Sequence, residues 1–394
     1  MTRTAVIVDV VRTPSGRGKP GGALSDLHPV DLAAAMLTGL LERSGLESAQ
    51  IDDVLMGCVS QTGDQSMNIA RQALLAAGFD EAVPGVSIDR QCGSSQQAAH
   101  FAAQGVMAGV YDIVIAAGVE SMSRVPLGSA WRDATVPDGI RRRYPQGLVN
   151  QGVSAELIAH RWGFSRQELD AYAAESHWRA ADAWKRGRFD SQVLPVLAGG
   201  EDAVAFDETV REGTTVEKLG GLAPAFRTDA LADRFPELDW RITAGNSSPL
   251  TDAASAALIM GEDTAAALGL TPRARFHSFA VVGDDPIMML TGPIAATRRI
   301  LERSGLTLGD LDAYEVNEAF ASVPLAWLEE FDADPALLNP WGGAIALGHA
   351  VGASGTRLLG TLVAYLEDTG GRFGLQTMCE GGGMANATII ERLA

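Results

Sequence analysis

What this chain has little of narrows its function before any motif is considered. Cysteine occurs three times in 394 residues, at Cys58, Cys92 and Cys379, and no CxxC pair is formed. That scarcity excludes a disulfide framework and a cysteine-based zinc site, and leaves single thiols to be explained by packing or by reactivity. Basic residues are outnumbered, 31 Lys and Arg against 49 Asp and Glu, for a formal net charge of -18. A chain of that sign offers no general basic face to nucleic acid or to an anionic bilayer, so an anionic ligand has to be met by a local cluster. Long apolar runs are missing too, none reaching the ~18 residues of a membrane span, so membrane insertion is not expected. The opening MTRTAVIVDVVRTPSG alternates like a strand and lacks the apolar core and cleavage site of a secretory leader. The chain therefore reads as a cytoplasmic enzyme or binding protein.

What is there is a repeat. The hexapeptide LERSGL stands at 41–46 and again at 301–306, and the offset of 260 holds without a gap through the segments C-terminal to each copy. In that register IDDVLMGCVS overlies LDAYEVNEAF, Ser94 falls on Ser354, Cys58 on Glu318, and Glu120 on Glu380. Short β-rich runs alternate with helical segments in both copies, the pattern of layered α/β sheets. Strands are expected near 4–11, 51–59, 85–89 and 112–118, and helices near 29–43, 67–77 and 93–109, with the second copy starting near 273. Between the copies, Trp, Arg and Pro-rich turns and amphipathic helices break the pattern. The organisation expected is an N-terminal half over 1–118 and 247–272, an inserted loop subdomain over 119–246, and a C-terminal half over 273–394. Most of the chain's clustered basic residues, from Arg141 to Arg234, lie in the insertion.

Chemistry concentrates at strand ends. Cys92 precedes a helix, where free backbone N–H groups and the helix dipole favour a thiolate; packing as a small apolar residue is the alternative. NEAFA at 317–321 puts Asn317 and Glu318 at the end of a strand, where ligand sites of α/β sheets gather. GGAIALGHAVGASG at 342–355 sets His349 in a glycine-rich turn, and MCEGGGMANATIIE begins with Cys379 beside three glycines. The repeat places all four at equivalent strand ends, which would bring them to one cleft.

Together with TAGNSSPLTDAASAALIM, VREGTTVEKLGGLAPAF and DDPIMMLTGPIAATRRILERSGL, these segments resemble the thiolase family along nearly the whole chain. DRQCGSSQQA and GLQTMCEGGG are most similar to bacterial degradative thiolases, including those of steroid breakdown. The resemblance implies a five-layered αβαβα fold of two similar α/β halves and Claisen chemistry on coenzyme A thioesters. It implies that Cys92 takes the acyl group, that His349 activates it, and that Cys379 handles the proton on the α-carbon. Asn317, through a water, and His349 would form one oxyanion site, and the N–H groups of Cys92 and Gly381 the other. Ser248 matches a contact to the pantetheine arm, with Ala244, Met289 and Phe320 on the same substrate and CoA side. The insertion over 119–246 would then bind CoA and acyl groups, with Trp131, Tyr144 and Gln151 on the acyl tunnel. No metal or permanently bound cofactor is implied; CoA is a substrate, and the family forms homodimers or homotetramers.

The expected activity is acetyl-CoA C-acyltransferase, the thiolytic shortening of 3-ketoacyl-CoA. The alternatives are an acetoacetyl-CoA thiolase working toward condensation, a ketosynthase-like condensing enzyme, and a non-catalytic acyl-CoA carrier on the same scaffold. Cys58 and the histidines at 28, 100, 160, 177 and 277 are read as packing or surface residues, and Glu318 as orienting its neighbours. Three departures from the family pattern stand out. Ala350 replaces a usual proline after the histidine, Trp341 a usual asparagine before the glycines, and Glu380 a usual apolar residue after the cysteine. A carboxylate facing the site would raise a neighbouring thiol pKa, so the Glu380 side chain is expected to point away.

Overall fold

The structure, a computed structural model, describes residues 3–198 and 202–393. Its elements start from strands that read as apolar runs because both their faces are covered. In β1 (Ala5–Arg12) every position is buried. α1 (Pro29–Ser44) begins with proline at its first position and a His28 ring nitrogen accepting from Val30 N–H, and ends at Gly45 in the left-handed conformation. Then come β2 (Asp53–Gly57), α2 (Ile69–Ala76), β3 (Gly85–Ile88), α3 (Ser94–Met107) and β4 (Ile113–Ser121). The intervening segment carries α4 (Gln151–Trp162) and α5 (Arg166–Lys185), and beyond it β5 (Thr251–Gly261) and β6 (Ala274–Gly283) lead to the second copy.

That copy consists of α6 (Gly292–Ser304) in the place of α1, then β7 (Ala313–Val316), α7 (Ser322–Phe331), a short helix over Ala344–Leu347, α8 (Ser354–Thr369), β8 (Phe373–Glu380) and β9 (Met384–Arg392). The repeated LERSGL now has a physical reading: it is the last turn of α1 and of α6, each closed by a glycine at φ 68° and 72°. The repeat extends to hydrogen-bond register. Asp53 stands opposite Val114 in the parallel pair β2–β4, and Ala313 opposite Gly374 in β7–β8, both shifted by the same 260 residues.

The strands lie in the order β7-β8-β9-β6-β1-β5-β4-β2-β3. Among the described residues, the two halves of the sheet are joined through β1 and β6, which share two residue pairs, Val6 with Arg275 and Ile7 with Ala274. Helices sort into layers around this frame. α1 and α2 cover one outer face, α6 the other, and α3 and α8 pack against each other between the two sheet halves. This is a layered αβαβα arrangement, with one apolar core under α1 and α2, a second around α3 and α8, and a third under α6 and α7. The central helices approach so closely that a Cβ on Gly355 would sit 2.1 Å from Gln96 N. Glycine there is a packing requirement.

The described residues between β4 and β5 form no strand of the main sheet; β4 itself runs on to Ser121. α4, capped by Asn150, and α5, whose Ser165 and Glu168 form a capping box, dominate this segment. The first packs on α7 and the second on the Ala344–Leu347 turn. The segment thereby rests on the loops that carry NEAFA and His349. No helix of the described residues is long and apolar enough to cross a membrane.

Candidate active site

A cavity of about 440 Å³ opens where the two halves and the intervening segment meet, with Cys92, His349, Gly381, Ser248, Met289 and Phe320 in its wall. Each owes its position to a strand end. Cys92 lies in the turn between β3 and α3; the helix starts at Ser94 with Gly93 as its N-cap, so Cys92 stands outside the helix. The turn is fixed by Gln91 at φ 48°, whose N–H reaches Asp89, and by the Ser94 hydroxyl, which donates to Gln91 O at 2.6 Å.

The nucleophile candidate does not have the depressed pKa that a helix N-terminus would give it. Burial pushes the Cys92 thiol up to about 12, helped by the Glu380 carboxyl, and this outweighs the opposing donors: the Gln151 amide, 4.0 Å from Sγ, and the backbone N–H groups of Cys92 and Gly381. Burial thus opposes the thiolate that a place before a helix favours. Desolvation of an ion beats one helix end, and a base is needed. The same two N–H groups, directed at the sulfur, are those expected to form an oxyanion site.

His349 is the candidate for that base. Gly348, at φ 85°, ends the Ala344–Leu347 turn with no room for a Cβ against Thr251, whose hydroxyl accepts His349 N–H at 2.9 Å. The Ser354 hydroxyl donates to Ala350 O at 2.9 Å and lies 2.7 Å from His349 Nδ1, so Nδ1 carries the ring proton and Nε2 its lone pair. Nε2 is 3.4 Å from the Asn317 amide nitrogen. Burial, then the Arg357 charge, lowers the His349 pKa to about 3, so the imidazole is neutral and basic only toward a proton delivered inside the site. Asn317 does not line the cavity, and its Oδ1 is buried without a protein partner.

Cys379 lies at the end of β8, fully buried in an apolar cluster with Met289, Phe320 and Ile345, and behind the cavity wall. Burial and then the neighbouring Cys92 hold its thiol well above the ordinary range, which keeps it protonated. Ser248 is held by its N–H to Ala319 O at 3.0 Å, and Ser247 bridges to Phe320. Ala244, by contrast, is exposed and outside the cavity wall; the Thr243–Asn246 turn faces it away.

Glu318 holds the site together from behind. Its carboxylate accepts from Tyr172 Oη at 2.9 Å, Ser176 Oγ at 2.7 Å, Asn339 Nδ2 at 3.0 Å and Ile345 N at 3.0 Å. It thus ties the β7 end to α5 and to the turn before His349. Trp341 explains its departure from the pattern: it faces away from the cavity and packs on Phe189 and Tyr365. Ala350 keeps the loop closed through its carbonyl, which takes both the Ser354 N–H and hydroxyl. Cys58 is core, buried among α1 and α2 residues.

Glu380 corrects an expectation. Its side chain does not point away; it reaches Gly93, where a Cβ would come within 2.0 Å of its Oε1. Gln151 was legible only as a residue of the acyl tunnel, yet it also approaches the Cys92 sulfur. Of its companions, Trp131 lines the cavity and Tyr144 does not. Among the described residues no group of three or more His, Cys, Asp or Glu could hold a metal ion.

Comparison with known proteins matches this geometry. Residues 5–263 fit the family profile "Thiolase, N-terminal domain" and residues 270–392 "Thiolase, C-terminal domain". The chain is 47% identical to the steroid 3-ketoacyl-CoA thiolase FadA6 of Mycobacterium tuberculosis, over 99% of this chain and 94% of that one. It is 40% identical to the 3-ketoacyl-CoA thiolase of Saccharophagus degradans, over 99% of each. The crystal structure of the Bacillus anthracis acetyl-CoA acetyltransferase superposes with a TM-score of 0.88 at 36% identity, covering 100% of this chain and 99% of that one. Fold and full-length similarity agree: the chain belongs to the thiolase family and has the thiolase fold.

Proposed function

We propose that this enzyme is an acetyl-CoA C-acyltransferase that cleaves 3-ketoacyl-CoA with CoA, giving acetyl-CoA and an acyl-CoA shortened by two carbons. The observation that carries this reading is the meeting of Cys92 and His349 in one apolar cavity with Cys379 directly behind it.

The steps follow from the residues. His349 Nε2 takes the Cys92 proton, and the sulfur adds to the 3-keto carbon, whose oxygen turns to the N–H groups of Cys92 and Gly381. Removing one such donor typically costs ~3 kcal/mol of transition-state stabilisation. The C2–C3 bond then breaks, its electron pair forming the enolate of acetyl-CoA. Asn317, through a water, and the protonated His349 face that enolate oxygen. Cys379 gives its proton to C2, and acetyl-CoA leaves. The thiol of an incoming CoA gives its proton to the Cys379 thiolate, attacks the acyl-cysteine and expels Cys92, which takes its proton back from His349, as ping-pong kinetics requires. Ser248, Met289 and Phe320 would guide the pantetheine arm, and CoA is consumed as a substrate.

On the acyl side, Leu127, Trp131 and Val149 give the cavity an apolar wall reaching the surface, with Trp131 66% exposed. We place bulky, ring-bearing acyl groups there, in line with the relative named for steroid thioesters. In this reading 119–246 form the acyl and CoA subdomain, while 1–118 with 247–272 and 273–394 form the two catalytic halves. A cytoplasmic homodimer or homotetramer belongs to the same proposal; the free edge of β3, with Val86 and Phe101 exposed nearby, supports association.

Comparison of kcat/KM across acetoacetyl-CoA, long-chain and polycyclic 3-ketoacyl-CoA tests it. The polycyclic substrate should be preferred, and Trp131→Ala should erode that preference while sparing acetoacetyl-CoA. Exclusive use of acetoacetyl-CoA would favour the condensing acetyltransferase instead.

A further inference from the structure

Glu380 and its repeat counterpart Glu120 occupy the same place in the two halves, at or near the end of β8 and β4, yet only one of them is hydrogen-bonded. The oxygens of Glu120 accept from Val59 N at 2.9 Å, Ser60 N at 3.0 Å, Gln65 Nε2 at 2.8 Å and Gly352 N at 3.1 Å. At the offset of 260 these donors become Ala319, Phe320, Leu325 and Cys92. Leu325 has no side-chain donor, and both oxygens of Glu380 are buried without any partner. The carboxyl lies instead against the Cα of Gly93, next to the nucleophile candidate, and on the same face of β8 as Met378, which packs on Cys92.

A buried carboxylate with no donor is far too costly to stay ionised beside neutral residues, whereas its protonated form is tolerated. The groups that act on it electrostatically are Arg90, which favours its charged form, and Asp89, which opposes it; both belong to the turn that leads to Cys92. Arg90 directs Nη1 at Met384 Sδ, 3.8 Å away, and does not pair with the carboxyl. On its own strand the neighbour is Cys379. Ionised, Glu380 opposes a thiolate at both cysteines.

We propose that Glu380 is a positioning residue for the nucleophile: an uncharged acid seated under the Cys92–Gly93 turn, whose ionisation opposes the Cys92 thiolate and so sets the alkaline limit of acyl transfer. Each negative charge opposes the other, so the two groups titrate as a coupled pair. The proposal rests on Cys92 as the reacting thiol.

The test is the pH dependence of iodoacetamide alkylation in the full-length enzyme, with Cys92 and Cys379 read separately by peptide mass spectrometry. In Glu380→Gln the Cys92 curve should move to lower pH by one unit or more, making alkylation about tenfold faster on the rising limb. Single-turnover acyl transfer should lose its alkaline fall, with the change in kcat and little in KM. Superimposable wild-type and Glu380→Gln curves would overturn the proposal. If Glu380→Gln does not fold, Glu380→Leu is measured, and the wild-type curve decides alone if neither folds: two coupled steps support the proposal and a single ionisation overturns it. Alkylation at Cys92 is readable whether or not the sulfur is ever acylated, so failure of the proposed reaction would be seen separately.

Discussion

Gly93 shows how tightly single residues are specified around the sulfur. With only 2.0 Å between a Cβ at that position and Glu380 Oε1, Gly93→Ala should overpack the turn and lower unfolding free energy by ~1–3 kcal/mol. Glu380→Ala in the same chain should recover part of the loss, because the two sites share one contact; a double-mutant cycle from urea melts measures it, and strict additivity would count against the contact. His349 and Asn317 were legible as residue types in glycine-rich or strand-end settings. The Ser354 partner of His349 was not. The link from Nδ1 through Ser354 to Ala350 O joins residues one turn apart in a loop whose path no periodicity describes. The orientation of Glu380 was illegible for a related reason: at the end of a strand flanked by three glycines, which face a side chain takes depends on register with β9.

Elements explain why the repeat could be read so far. The same two-residue device starts β4 and β8: Asp52 accepts from Asp112 N and Ile113 N, and Asp312, 260 residues later, from Arg372 N and Phe373 N. Asp52→Ala and Asp312→Ala should each cost ~1–3 kcal/mol in urea unfolding, and the double variant should show their sum, since the devices share no partner. Markedly unequal losses would mean that the halves have diverged in what holds them. Where the halves do diverge is at Cys58 and Glu318, an apolar core thiol in one and a four-fold acceptor in the other. Glu318→Ala should therefore lower kcat more than it raises KM, by loosening the turn that aims His349, and steady-state kinetics with acetoacetyl-CoA would show it. The helix α5 was visible as an amphipathic segment, but its seat on the Ala344–Leu347 turn, and that of α4 on α7, come from tertiary packing alone.

At the scale of the whole molecule, burial of neutral histidines ties stability to pH. His349 and His100 have folded pKa values of about 3, and His177 of about 4, against 6.5 when unfolded, in each case first because burial disfavours the charged ring. The unfolded chain binds more protons between these values, so this stability is complete above 6.5 and is lost as pH falls toward 3. The slope is about 1.4 kcal/mol per pH unit for each such histidine. Buried carboxyls such as Glu315, raised to about 8, give the opposite slope over part of this range, so the histidine share is read by difference: urea melts should lose stability toward acid pH less steeply in His100→Gln, a site remote from the cavity, than in the wild type, and parallel profiles would contradict the burial. Repeat spacing made the layered α/β arrangement legible, whereas the division of labour proposed for the two buried thiols rests on the assembled cleft. Acetyl transfer from acetyl-CoA, located by peptide mass spectrometry after brief incubation, tests that division most directly. The acetyl group should appear on Cys92 in the wild type and in Cys379→Ala, whose carbon–carbon step should fall by roughly 10²- to 10⁴-fold, and nowhere in Cys92→Ala. An acetyl group on Cys379 in the wild type, or full thiolysis by Cys92→Ala, would contradict it.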